Sequence, residues 1–195
     1  MNLRKENLVR AIEAIAAAGG SDAREARLVA ENLVTANLLG HDSHGIGMMP
    51  RYVEALLEGG LHPNRQVEVK FDAGALLTLD GCAGYGQSIG LQATEMGIAR
   101  AKQHGSAIVA LGNSHHLGRI GHWAEIAVAV GLVSMHFVNV QSFARVAPFA
   151  GAAAACHDVT TSSGYPASPA EGTSGSCGWR LPAVTASAFI RPPLM

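Results

Sequence analysis

Five of the nine histidines in this chain of 195 residues fall in two short segments, "GHDSHG" (40–45) and "GNSHHLGRIGHWAE" (112–125). The first sets His41, Asp42, Ser43 and His44 side by side, and the second holds His115, His116 and His122. Imidazole titrates near neutral pH, so such clusters point to proton transfer. Metal coordination is the competing chemistry, and it needs three or four ligands at suitable spacing. His41 and His44 lie three positions apart and His116 and His122 six, with no HExxH pattern, and Asp42 is the one nearby oxygen donor. No metal site is therefore assigned. The acid/base reading fits better, because Ser43 puts a hydroxyl beside His44 that can relay a proton or fix the tautomer of the ring. The plain alternative for each ring is a solvated loop histidine; clustering counts against it for His44 and His116.

The elements that must hold these segments can be read from periodicity. Leu8, Ile12 and Ile15 mark a first helix that stops at Gly19-Gly20. Ser21 caps a second, with Asp22 at the positive end of its dipole and Ala26, Val29, Ala30 and Leu33 on its inner face. "GHDSHG" then lies at or just past that helix. A third helix is expected over Arg51–Glu58 with Tyr52, Val53, Leu56 and Leu57 inward. Beyond it "VEVKFD" alternates as a half-buried strand, "ALLTLDG" is a second strand, and a helix with Ile89, Ala93 and Met96 on one face spans about 87–104. "SAIVAL" (106–111) and "LVSMHFVNV" (132–140) are further strands, with a helix carrying Ile120, Trp123 and Ala127 between them. Helices in front of alternating strands and helices define an α/β (α+β) chain. The second histidine segment follows the C-terminal end of strand 106–111, and in α/β sheets ligands bind at that end of the strands. Gly112, Gly118 and Gly121 leave room for close approach, and the following helix start suits an anion. "GCAGYGQSIG" (81–90) is glycine-rich, but its G-x-x-G-x-G-x-x-x-G spacing is not the dinucleotide fingerprint, so it is read as a turn.

Composition narrows the partners. Net charge is −1 with 15% charged residues, and no basic stripe invites nucleic acid. Cys82, Cys156 and Cys177 are isolated and odd in number, against a disulfide framework. The N-terminus lacks a signal-peptide core, and no apolar run reaches the ~20 residues of a membrane span. A cytoplasmic protein with no membrane partner is expected.

Three segments together resemble a known family. "HDSHGIGMMPRYVEALLEGGLHPN", "GNSHHLGRIGHWAEIA" and "NVQSFARVAPFAG" are similar, in order and spacing, to signatures of the malate/L-lactate dehydrogenase family, whose members lack a Rossmann fold. The similarity covers about residues 1–150. It implies a nicotinamide cofactor, NAD or NADP, and hydride transfer at a small 2-hydroxy or 2-oxo acid, by a homodimer. It implies an N-terminal helical segment over 1–62 and an incomplete mixed-sheet cofactor domain over 63–150. Carried over, Ser43 and His44 match the serine–histidine pair near the substrate, and His116 an acid/base group that also lies against the cofactor. Leu117, Gly118, Arg119 and Ile120 match the loop along the cofactor, and Ser142 the polar residue of the third signature. Many relatives carry arginine where this chain has Met48; Arg51, three residues on, is the substitute for holding the substrate carboxylate, with Tyr52 beside it. His122 stands where tyrosine is common.

After about residue 151 the text changes. Five of the eight prolines lie in 151–195, no lysine follows Lys102, and no strand or helical stripe can be traced there. This stretch is expected to be an unrelated or disordered tail left by truncation or a shifted reading frame. Two rivals stand beside the dehydrogenase reading: a metal-dependent hydrolase built on the histidines, and a fragment without catalysis.

Overall fold

The computed structural model describes residues 4–139 and 183–191. Three helices come first: α1 (Lys5–Ala18), α2 (Ala23–Leu38) and α3 (Met49–Leu57). The α2 stripe Ala26, Val29, Ala30 and Leu33 is buried as its spacing predicts. Complete burial of Val29 and Leu33 contributes roughly 1.5–3 kcal/mol each. The α1 stripe is rotated by one position: Val9, Ile12 and Ala16 are buried, while Ile15 is exposed. Asp22, not Ser21, caps α2, its Oδ1 accepting from the Glu25 amide at 2.7 Å. Ser21 instead donates to Glu25 Oε2 at 2.8 Å, and the same oxygen accepts from the Asn64 amide. Buried Glu25 thus ties the start of α2 to the loop that leads into the sheet. In α3 Met49, Tyr52 and Ala55 are buried, Val53 and Leu56 pack half-buried against the same core as expected, and Leu57 is 84% exposed rather than inward.

The sheet follows: β1 (Glu68–Ala73), β2 (Leu76–Asp80), α4 (Gly86–His104), β3 (Ser106–Ser114), α5 (Gly121–Ala129) and β4 (Val133–Asn139). A last strand, β5 (Ala183–Ile190), lies between β3 and β4, giving the order β1-β2-β3-β5-β4. Only β2 and β3 run parallel; the other neighbours are antiparallel. The sequence traced no strand in 183–190, and its period-two pattern "AVTASAFI" was hidden by a proline-rich setting. Because β5 pairs with β3, strand 106–111 is not an edge; among the described residues the outer strands are β1 and β4.

Side chains alternate across this sheet, and the described helices cover one face of it. Leu77, Leu79, Ala107, Val109, Leu111 and Phe189 are buried and form one core with Ile89, Ala93, Ile98 and Ala101 of α4 and Ala127 of α5. Opposite, Phe71, Leu76, Ile108, Val133, Met135, Phe137 and Ile190 are exposed. Strand β1, expected to be half-buried, is exposed along its whole length. A second core gathers α1, α2 and α3 with Leu61, and Tyr85 at the foot of α4 belongs to it. Tyr85 therefore fastens the helical layer to the sheet.

Neighbouring leucines on β2 test the one-sided burial. Leu77 is 2% exposed and Leu76 45%. Leu77→Ala is expected to cost about 2–4 kcal/mol and Leu76→Ala less than about 1 kcal/mol, measured as shifts of the urea midpoint.

Candidate active site

The two histidine segments, about seventy residues apart in sequence, meet between the helical layer and the sheet. "GHDSHG" leaves the end of α2 through two 3-10 turns, Asp42–His44 and Ile46–Met48. Asn37, in the last turn of α2, closes this loop: its Nδ2 donates to Asp42 Oδ1 at 2.5 Å and its Oδ1 accepts from the Ile46 amide at 2.7 Å. One amide side chain thereby fixes the path that carries Ser43 and His44. The second segment leaves β3 and is pinned to the foot of α4, the His115 amide donating to the Gly84 carbonyl at 3.1 Å. Residue 86 must be glycine for this approach, because a Cβ there would overlap the His116 carbonyl. Gly118 has φ +70°, which glycine adopts without strain, and Trp123 Nε1 donates to the Leu117 carbonyl at 3.2 Å.

These anchors bring three rings together. The His44 and His116 centroids lie 5.2 Å apart with planes tilted by 30°. Ser43 Oγ is 2.8 Å from His44 Nδ1. The Tyr52 hydroxyl is 2.8 Å from His116 Nδ1, and Gln87 Nε2 donates to that hydroxyl at 2.8 Å. His115 packs edge-on to Tyr52 at 5.3 Å, and its buried Nδ1 has no hydrogen-bond partner.

Burial sets the charge state. Desolvation, then repulsion from His44 and His115, brings the His116 pKa down to about 4. Desolvation brings His115 to about 4 as well. His44 is lowered by burial and by His41. Desolvation raises the Tyr52 hydroxyl, so it stays protonated. At neutral pH the centre is a set of uncharged imidazoles, and burial opposes the protonation of each.

The remaining predicted residues fall in different places. Tyr52, read as a substrate contact, is 0% exposed and stands behind the His116 ring. Arg51, next to it in the first turn of α3, is exposed, while Met48 at the cap of that helix packs on the helical core. Leu117 and Arg119 are buried, and Arg119 pairs with Glu125 at 2.6 Å. Ile120 packs against the sheet core, and His122 lies edge-on to Trp123 at 4.8 Å. Ser142 lies outside the described residues. Gln87 and Asn37 were missed: one sits in a helix start read only for its glycines, the other at a helix end read only for apolar spacing. Among the described residues no group of three histidine, cysteine or acidic side chains could hold a metal ion, so the geometry does not favour the hydrolase. No helix among the described residues is long and apolar enough to cross a membrane.

The profile of the malate/L-lactate dehydrogenase family matches residues 3–172, and the chain belongs to that family. It is 51% identical over 140 residues to hydroxycarboxylate dehydrogenase B of Escherichia coli, covering 72% of this chain and 39% of that protein. It is 43% identical over 124 residues to an L-lactate dehydrogenase of Cupriavidus necator, covering 63% and 36%. The solved sulfolactate dehydrogenase of Methanocaldococcus jannaschii superposes with a TM-score of 0.69 at 32% identity over 71% of this chain and 40% of that one. Malate dehydrogenase of Pyrococcus horikoshii gives 0.68 at 31% identity, covering 71% and 40%. The chain thus spans about two fifths of the length of the relatives it matches.

Two histidines held near 4 against about 6.5 when unfolded make stability depend on pH. The folded state disfavours their protonation, so this contribution is complete above about pH 6.5 and is lost as pH falls towards 4. The expected loss is roughly 1–3 kcal/mol per ring. Buried Glu25, with a raised pKa, acts in the opposite sense above its unfolded value. Urea midpoints at pH 7.5 and 4.5, compared between the native chain and His115→Gln, isolate the histidine part: the variant should show the smaller fall.

Proposed function

We propose that this chain carries the proton-handling side of an NAD(P)-dependent oxidoreductase acting on a small 2-hydroxy or 2-oxo acid. The observation that supports it best is the pair of neutral rings, His44 and His116, 5.2 Å apart with planes tilted by 30° and each held at Nδ1 by a hydroxyl. That hold directs each Nε2 away from its anchor, towards a reactant. In oxidation the hydroxyl proton of the substrate passes to an imidazole of this pair; in reduction the same ring returns it. The nicotinamide, when bound, supplies the hydride acceptor or donor. A second proton on the pair is opposed by repulsion between rings this close, so the centre exchanges one proton per turnover.

Cofactor and substrate contacts divide by exposure. His116, the main chain of 117–120 and the Ile120 side chain suit the reacting end of the nicotinamide. The buried Leu117 side chain and the Glu125-paired Arg119 do not suit contacts to the phosphates. Ser142 is a further candidate outside the described residues. Exposed Arg51 is our candidate for the substrate carboxylate, which a guanidinium fork suits. We further infer a cytoplasmic homodimer, with the helical segment 1–62 and the sheet segment 63–150 as its functional parts.

NADH and NADPH fluorescence titrations of the chain, beside His116→Ala, test this reading. Saturable binding weakened roughly tenfold, the loss of about one good contact, is the expected result. A folded sample that binds neither dinucleotide would overturn it.

A further inference from the structure

From this geometry we infer that Tyr52 and Gln87 are positioning residues that lock His116 in the Nε2–H tautomer, which makes it a hydrogen-bond donor to the substrate oxygen and leaves proton uptake to His44. This inference rests on the proposed oxidoreductase reading for its use, but the lock is a property of the chain alone. The Tyr52 hydroxyl has one proton to give. Gln87 Nε2 donates to its oxygen at 2.8 Å, so the hydroxyl proton is turned towards its other partner, His116 Nδ1, also at 2.8 Å. A ring that accepts at Nδ1 carries its proton on Nε2. Tyr52 and Gln87 are both buried, so solvent does not compete for these bonds.

The orientation of the Gln87 amide decides the polarity of this chain of bonds: its Nε2 faces the Tyr52 oxygen, while its buried Oε1 has no donor. The reversed amide would accept the hydroxyl proton and leave the Tyr52 oxygen to accept from His116 Nδ1–H, so the tautomer of His116 reports the orientation directly.

His44 is held differently. Its Nδ1 faces Ser43, whose hydroxyl accepts from Nδ1–H as readily as it donates, so its Nε2 is able to be the bare nitrogen. Oxidation then balances as follows. The substrate O–H bond breaks and its proton goes to His44 Nε2. A bound oxidised nicotinamide would take up the hydride from the carbon that carried that hydroxyl. His116 keeps its proton throughout and steadies the oxygen as its charge grows.

Long-range proton–nitrogen NMR of the histidine rings reads the tautomer without cofactor or substrate. In the native chain at pH 7, His116 is expected as Nε2–H. Tyr52→Phe, which removes only the hydroxyl, should shift the tautomer ratio roughly fivefold or more, the loss of one buried hydrogen bond. Gln87→Leu acts one bond further away and should shift it in the same direction while leaving the Tyr52 ring packed. A native His116 found as Nδ1–H, or a ratio unchanged in either folded variant, overturns the lock. Because the dinucleotide titration is a separate reading, failure of the lock and failure of the oxidoreductase assignment are distinguishable.

Discussion

The hydrogen bond between the Tyr52 hydroxyl and His116 Nδ1 joins the two halves of the molecule at the point where their chemistry meets. Tyr52 belongs to the helical layer and His116 to the loop after β3. The bond can form only if α3 packs against the foot of α4 and the loop at 115–118 is drawn in close. Glycine at 86 permits that approach, and Tyr85, buried in the helical core, holds α4 in register for it. A shift of about 1 Å in either layer would break a hydrogen bond of this length, so the contact depends on how both layers pack.

Desolvation follows from the same packing. The rings are neutral because the surrounding layers exclude water, and for His116 repulsion from His44 and His115 acts in the same direction. Neutral imidazoles within 5.2 Å of one another tolerate one added proton and resist a second. The acidic groups that burial does affect, such as Glu25, lie at the start of α2 and act as struts between the helices and the entry to the sheet. Chemistry and scaffold thus use buried polar groups in different places.

The sheet has an asymmetry of its own. Helices α4 and α5 cover one face, while an array of valine, leucine, isoleucine, methionine and phenylalanine side chains stands exposed on the other. Alternation along β2 and β3 generates both faces at once, since a strand that buries one set of side chains must present the next.

The sequence by itself determined the elements with strong periodicity: the α2 stripe and the strands marked by the runs 75–81, 106–111 and 132–140. It did so because apolar spacing is a local property. It also singled out the two histidine segments that the fold brings together. It misjudged the α1 face by one residue, placed the α2 cap at Ser21, and traced no strand in 183–190, where β-pairing with β3 outweighs a loop-like composition. Tertiary structure alone decided that Tyr52 stands behind His116 and that Gln87 and Asn37 serve the site. It also decided that the side chains of 117–119 face inward. The physical reason is that a hydrogen bond between residues 52 and 116, or the desolvation of a ring, depends on which layers pack together, and no spacing along the chain encodes that.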